Sequence, residues 1–115
     1  MMKTVLTAGK VLNLFSFEQP EWGATEVAKA LHISRSSASA IMISLANQGL
    51  INRTRNGRYR LSWRIAELSQ ILLNTSELSR EAHQATLELV QDWKVAVHLG
   101  RLNRAKVVLI EKLQI

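Results

Sequence analysis

The chain has 115 residues and a mass of 12.9 kDa, which is one domain, or one small domain with an appendage. Its 47% hydrophobic and 21% charged residues argue against disorder, and the absence of Cys excludes disulfides, Cys-zinc sites and a Cys nucleophile. The net charge of +6 and a pI near 10.3 point to an acidic partner such as nucleic acid. No acidic residue lies between Glu26 and Glu67, whereas Lys29, Arg35, Arg53, Arg55, Arg58, Arg60 and Arg64 all do. That segment carries the whole basic excess, mostly as Arg, the better residue for phosphate forks and base edges.

In chain order, residues 4–16 read as a helix with Val5, Ala8, Leu12 and Phe15 at helical spacing, Val11 beside them and Gly9 as a weak point. Phe17 to Gly23 reads as a break around Pro20, the only proline. A second helix starts after a Gly23 N-cap, with Glu26 at its third position and Val27, Ala28 and Leu31 on its buried face. After a short turn at His32-Ile33, Ser34 caps a third helix from Arg35 to about Asn47, with an inward stripe of Ala38, Ile41, Met42 and Leu45. Gly49 suits the left-handed position after it, and Leu50 the accompanying apolar contact. Two helices around a three-residue turn make a helix-turn-helix.

Leu50–Thr54 and Arg58–Ser62 flank Arg55-Asn56-Gly57, a strong hairpin signal. Leu50, Tyr59 and Leu61 are expected to face the core, and Arg53, Arg55, Arg58 and Arg60 to face outward. A helix-turn-helix followed at once by a basic hairpin is a winged helix. Further on, a helix from about Trp63 to Leu73 presents Ile65, Leu68 and Leu72. Another, capped by Ser76 and running from about Glu77 to Trp93, presents Leu78, Ala82, Ala85 and Leu89, with Leu87, Val90 and Trp93 nearby. Val95–Leu102 and Ala105–Leu113 read as a second β-hairpin turning at Asn103-Arg104, expected to be poorly ordered alone or to pair with another copy. The expected fold is mainly α with small β-hairpins. It divides into a winged helix-turn-helix DNA-binding domain over 1–62, a helical linker or dimerisation segment over 63–93, and the hairpin start of a further domain over 94–115.

This ordered set of elements resembles the N-terminal part of the IclR-type transcriptional regulators. The resemblance rests on Val5, Ala8, Val11-Leu12 and Leu14-Phe15 in the first helix, and on Thr25-Glu26-Val27-Ala28-Lys29-Ala30-Leu31 in the second. It continues through Arg35-Ser36-Ser37-Ala38 at the start of the recognition helix, Leu45, Gly49-Leu50-Ile51 and Gly57-Arg58-Tyr59-Arg60-Leu61. Val97-His98-Leu99-Gly100 and Val107-Val108 resemble the first hairpin of that family's effector domain. The resemblance implies a dimeric DNA-binding regulator, with no response to a small-molecule effector expected without the full sensor domain. One departure is Ser39-Ala40, where the family often has His-Arg, which removes a cationic contact.

With its apolar stripe inward, the third helix turns Ser36, Ser39, Ala40, Ile43 and Asn47 outward, with Ser37 and Ser44 on the flanks. Small uncharged side chains let a helix seat deeply in the major groove, where Ser meets phosphate or base edges and Ala40 or Ile43 meets thymine methyls. Ile43 also suits a protein contact. The DNA-binding residues expected are Thr25 and Lys29 on the second helix, Ser34, Arg35, Ser36, Ser37, Ser39, Ala40 and Ile43 on the third, and Arg53, Arg55, Asn56 and Arg58 on the wing.

No enzyme is expected: His32, His83 and His98 are spaced for no metal site, and the five glycines form no phosphate loop. Neither a cofactor nor a metal is expected. No apolar run is long enough for a membrane span or, before Gly9 and Lys10, for a signal peptide, so the expected location is cytoplasmic. The second reading is a protein-interaction module, or a truncated regulator that heterodimerises with full-length relatives through residues 63–115.

Overall fold

The computed structural model describes residues 2–93, 97–103 and 106–113. The chain separates into two compact units, Met1–Ala66 and Glu67–Ile115.

In the first unit, α1 (Lys3–Leu12) ends a turn sooner than the periodicity predicts. The Asn13 and Leu14 N–H groups close it on the Gly9 and Val11 carbonyls. Val11 is fully buried, while Val5 is 63% exposed, because only the C-terminal half of the helix (Ala8, Val11, Leu12) meets the core. Leu14 and Phe15 reach that core from the segment beyond the helix. Within the predicted break, Glu21–Trp22 forms a short strand, β1.

Gly23 caps α2 (Ala24–Leu31), and its N–H donates to Glu26 Oε1 at 2.9 Å. The helix stops at His32, which takes a left-handed φ of 55°. Ser34 then caps α3 (Arg35–Asn47), its Oγ accepting the Ser37 N–H at 3.1 Å. Gly49, at φ 79°, ends α3 in the Schellman pattern: Leu50 N–H bonds the Leu45 carbonyl and Gly49 N–H the Ala46 carbonyl.

The chain passes directly into β2 (Ile51–Arg53) and returns as β3 (Tyr59–Leu61). The antiparallel sheet has the order β1-β3-β2, with Trp22 and Arg53 both opposite Tyr59. Gly57 alone of the connecting residues has positive φ, and the Gly57 N–H bonds the Thr54 carbonyl while Thr54 N–H bonds that of Arg58. The wing tip is therefore a three-residue loop closed by a left-handed glycine, not a two-residue turn.

Val11, Val27, Ala28, Ala38, Met42, Leu45, Ile51 and Tyr59 form one core drawn from all three helices and two of the strands. Leu61, expected inside, is 41% exposed on the last rung opposite Ile51, which is buried in its place. Ser62 ties the layers together: its Oγ donates to the Gly49 carbonyl, its N–H to that of Leu50, and it caps the next helix by accepting the Arg64 N–H.

That helix, α4 (Trp63–Thr75), buries no residue and exposes Trp63, Leu68, Ile71 and Leu72. In the second unit, α5 (Glu77–Trp93) packs against an antiparallel hairpin of β4 (Val97–Asn103) and β5 (Lys106–Leu113), with a bulge between Leu99 and Gly100. Val95 and Ala105, expected in this hairpin, and Arg104, expected at its turn, lie outside the described residues. Among the described side chains of α5 the buried ones are Val90, expected beside the apolar face, and Thr86, whereas the predicted Leu78 and Leu89 are about half exposed. Thr86 is buried without polar cost because its hydroxyl donates to the Ala82 carbonyl one turn back.

Candidate nucleic-acid interface

The two faces of α3 differ sharply. Ala38, Met42 and Leu45 are buried and Ile41 is half-buried, which fixes the opposite face outward. Ser36, Ala40, Ile43 and Asn47 follow one another along it at intervals of four, three and four residues, a single stripe on a 3.6-residue helix. All four are exposed, Ile43 to 47%. Ser39, expected on this face, is half-buried at its edge. No side chain on the stripe is charged.

The N-terminal turn of α3 gathers three hydroxyls. Ser34 Oγ accepts the Ser37 N–H, donates to Ser37 Oγ at 2.8 Å and lies 3.2 Å from Ser36 Oγ. Because Ser34 has one hydrogen and gives it to Ser37, Ser36 must be the donor of the third bond. One turn beyond Ala40, Ser44 Oγ is also committed, donating to the Ala40 carbonyl at 2.9 Å.

Further exposed polar residues lie on α2, at the start of α3 and on the wing. Arg35 opens α3, Lys29 lies in the last turn of α2 and Thr25 in its first, and all three are exposed. Arg53, Arg55 and Asn56 are exposed on the wing. The Arg53 guanidinium lies over the wing tip, so that a Cβ at Gly57 would come within 3.4 Å of its Nη2. Lys29, Arg35, Arg53 and Arg55 form no ion pair among the described residues.

Arg58 stands apart from the other predicted site residues. Its Nη1 pairs with Glu26 Oε1 at 2.8 Å, and its Nη2 donates to the Glu21 carbonyl at 2.8 Å. Glu26 also accepts the Gly23 N–H and, through Oε2, Gln19 Nε2 at 3.1 Å. Trp22 Nε1 donates to the Gln19 carbonyl at 3.1 Å. One carboxylate thus joins the start of α2, the turn before it and the wing strand. The place of Glu26 at the helix N-terminus is a local signal, but nothing local marks Arg58 as its partner across the fold. Gln19, Glu21 and Trp22 carry no sequence signal for this role.

Residues 4–55 match the family model of the IclR helix-turn-helix domain. The chain is 26% identical over 115 residues to the HTH-type transcriptional regulator XynR of Escherichia coli (strain K12), covering 99% of this chain and 46% of that protein. It is 26% identical over 104 residues to the glycerol operon regulatory protein of Streptomyces coelicolor, covering 90% and 41%. Among solved structures, an IclR family transcriptional regulator from Brucella abortus superposes with a TM-score of 0.80 at 20% identity, over 99% of this chain and 44% of that one. The Thermotoga maritima IclR gives 0.73 at 22% identity, over 99% and 46%. The structural matches establish the shared fold, and the chain spans less than half the length of each of these relatives.

Proposed function

We propose, from the match of residues 4–55 to the IclR helix-turn-helix family model, that the chain binds double-stranded DNA in a sequence-dependent way and acts as a transcriptional regulator. The observation that carries this reading is the uncharged, exposed stripe of α3 together with Lys29, Arg35, Arg53 and Arg55, exposed cations that have no ion pair among the described residues. In the proposed complex α3 enters the major groove, with Ser36, Ala40 and Ile43 toward base edges and Ser39 at the margin. Thr25, Lys29, Arg35, Ser37 and the backbone N–H groups beside Ser34 meet phosphates. Arg53, Arg55 and Asn56 of the wing lie on the flanking backbone or in the minor groove.

The reading is of a regulator and not of an enzyme, and the regulator relatives support it. We assign its action to the cytoplasm; among the described residues no helix is long and apolar enough to cross a membrane. A two-fold dimer would set two α3 helices about 34 Å apart, or a multiple of that, on a palindromic site. Exposed Trp63, Ile71 and Leu72 on α4 support pairing of protomers, with a second copy or with a longer relative.

The test is a fluorescence-anisotropy titration of the full chain against a random duplex pool, with bound sequences recovered and amplified. The expected result is an enriched palindrome. Four phosphate contacts per half-site predict a log K against log salt slope of roughly −3 to −4 per half-site. Binding that enriches no sequence would reduce the interface to a generic basic surface.

A further inference from the structure

We propose that Ala40 and Ile43 read the C5-methyl groups of thymine, so that the half-site is specified largely by apolar contact and only secondarily by hydrogen bonds from α3. The inference rests on the DNA-binding reading above and deepens it.

Part of the hydrogen-bonding capacity on and beside the outward face is spent within the protein. Ser36 gives its hydrogen to Ser34, and Ser44 gives its own to the Ala40 carbonyl. What remains at the centre of the stripe is a methyl group at Ala40 and a branched butyl group at Ile43, one turn apart on the same side. Both are exposed, and Ile43 keeps 47% of its surface open. Two small apolar groups are too little surface for a stable protein interface. Lys29, Arg35, Arg53 and Arg55, exposed and without an ion pair among the described residues, suit a polyanion. In the major groove the apolar feature a base pair offers is the thymine C5-methyl, and Ala and other apolar side chains are its natural complement. Side chains this short also place the α3 backbone close to the groove floor, where that methyl projects.

The experiment uses the full chain and the operator recovered by selection. Each thymine of a half-site is replaced singly by deoxyuridine, which deletes the methyl and keeps every Watson–Crick and groove hydrogen-bonding group. Loss of binding by about three- to fivefold at one or two positions is expected, the scale of one buried methyl. Ile43→Ala should then bind the thymine and deoxyuridine duplexes with nearly equal affinity at one of those positions. Because Ile43 is outside the core, a circular dichroism melt of this variant should match the parent. Equal affinity of the parent chain for every deoxyuridine duplex would overturn the proposal while leaving DNA binding intact. Failure to recover any operator would instead overturn the underlying reading and this inference with it.

Discussion

The recognition helix and the wing face the same direction in the proposed complex but are built from opposite materials. The outward stripe of α3 is short and uncharged, with Ser36 hydrogen-bonded to its cap; the exposed wing tip is Arg53, Arg55 and Asn56 around a glycine-closed loop. A reading surface gains from rigidity and close approach, because discrimination depends on contacts at the scale of single atoms. A holding surface gains from charge and reach, because phosphate attraction is long-ranged and indifferent to sequence. Affinity and specificity are therefore carried by different parts of the fold, and substitutions should separate them.

The largest effect should come from the inner side of α3. Met42 is fully buried and Ile43, the next residue, is nearly half exposed. Met42→Ala is expected to cost about 2–5 kcal/mol of stability, the range for truncating a buried long side chain, as measured by urea denaturation. Ile43→Ala should leave the midpoint almost where it was. A comparable loss in both variants would mean that the outward stripe is covered.

Next is the wing. Replacing Arg53 and Arg55 together by Gln should lower operator affinity by about one to two orders of magnitude and flatten the salt slope by about two per half-site. The ranking of operator variants should stay the same. A changed ranking would show that the wing reads sequence, collapsing the division of labour with α3.

Smaller again is the cap. Ser34→Ala removes the acceptor of the Ser37 N–H and the hub of the three hydroxyls, and should cost about 1 kcal/mol of stability in a thermal melt. It also frees Ser36 to turn its hydroxyl outward. A relaxed preference at the base pair beside Ser36 would follow, visible in a repeat of the selection.

Much of this contrast is legible in the amino-acid sequence. The apolar period of α3, its Ser34 cap and its Gly49 stop are local signals, so the faces of the helix follow from the residues alone. The wing turn is equally local in Asn56-Gly57. What escapes is non-local. Strand β1 is two residues long, has no period and exists only because β3 pairs with it. On α5 the conspicuous leucines mislead, since a threonine that bonds its own helix can be buried more cheaply than its polarity suggests. Leu61 takes part in a correct alternation but sits at the end of the ladder, where the core no longer covers it.

Arg58 is the sharpest instance, because composition and position both mark it as a wing cation. Its guanidinium is instead satisfied by the Glu26 carboxylate and the Glu21 carbonyl, both within the protein. Both side chains of the pair are at least about a third exposed, so their coupling in a double-mutant cycle with Glu26→Gln should be at most about 1 kcal/mol. The consequence for binding is one of position. Arg58→Gln should weaken operator affinity only a few-fold, by loosening the wing against the start of α2, and should leave the salt slope unchanged. Loss of a phosphate contact would flatten that slope by about one unit per half-site. The slope therefore distinguishes an arginine that holds DNA from one that holds the wing, even if the two losses of affinity are equal.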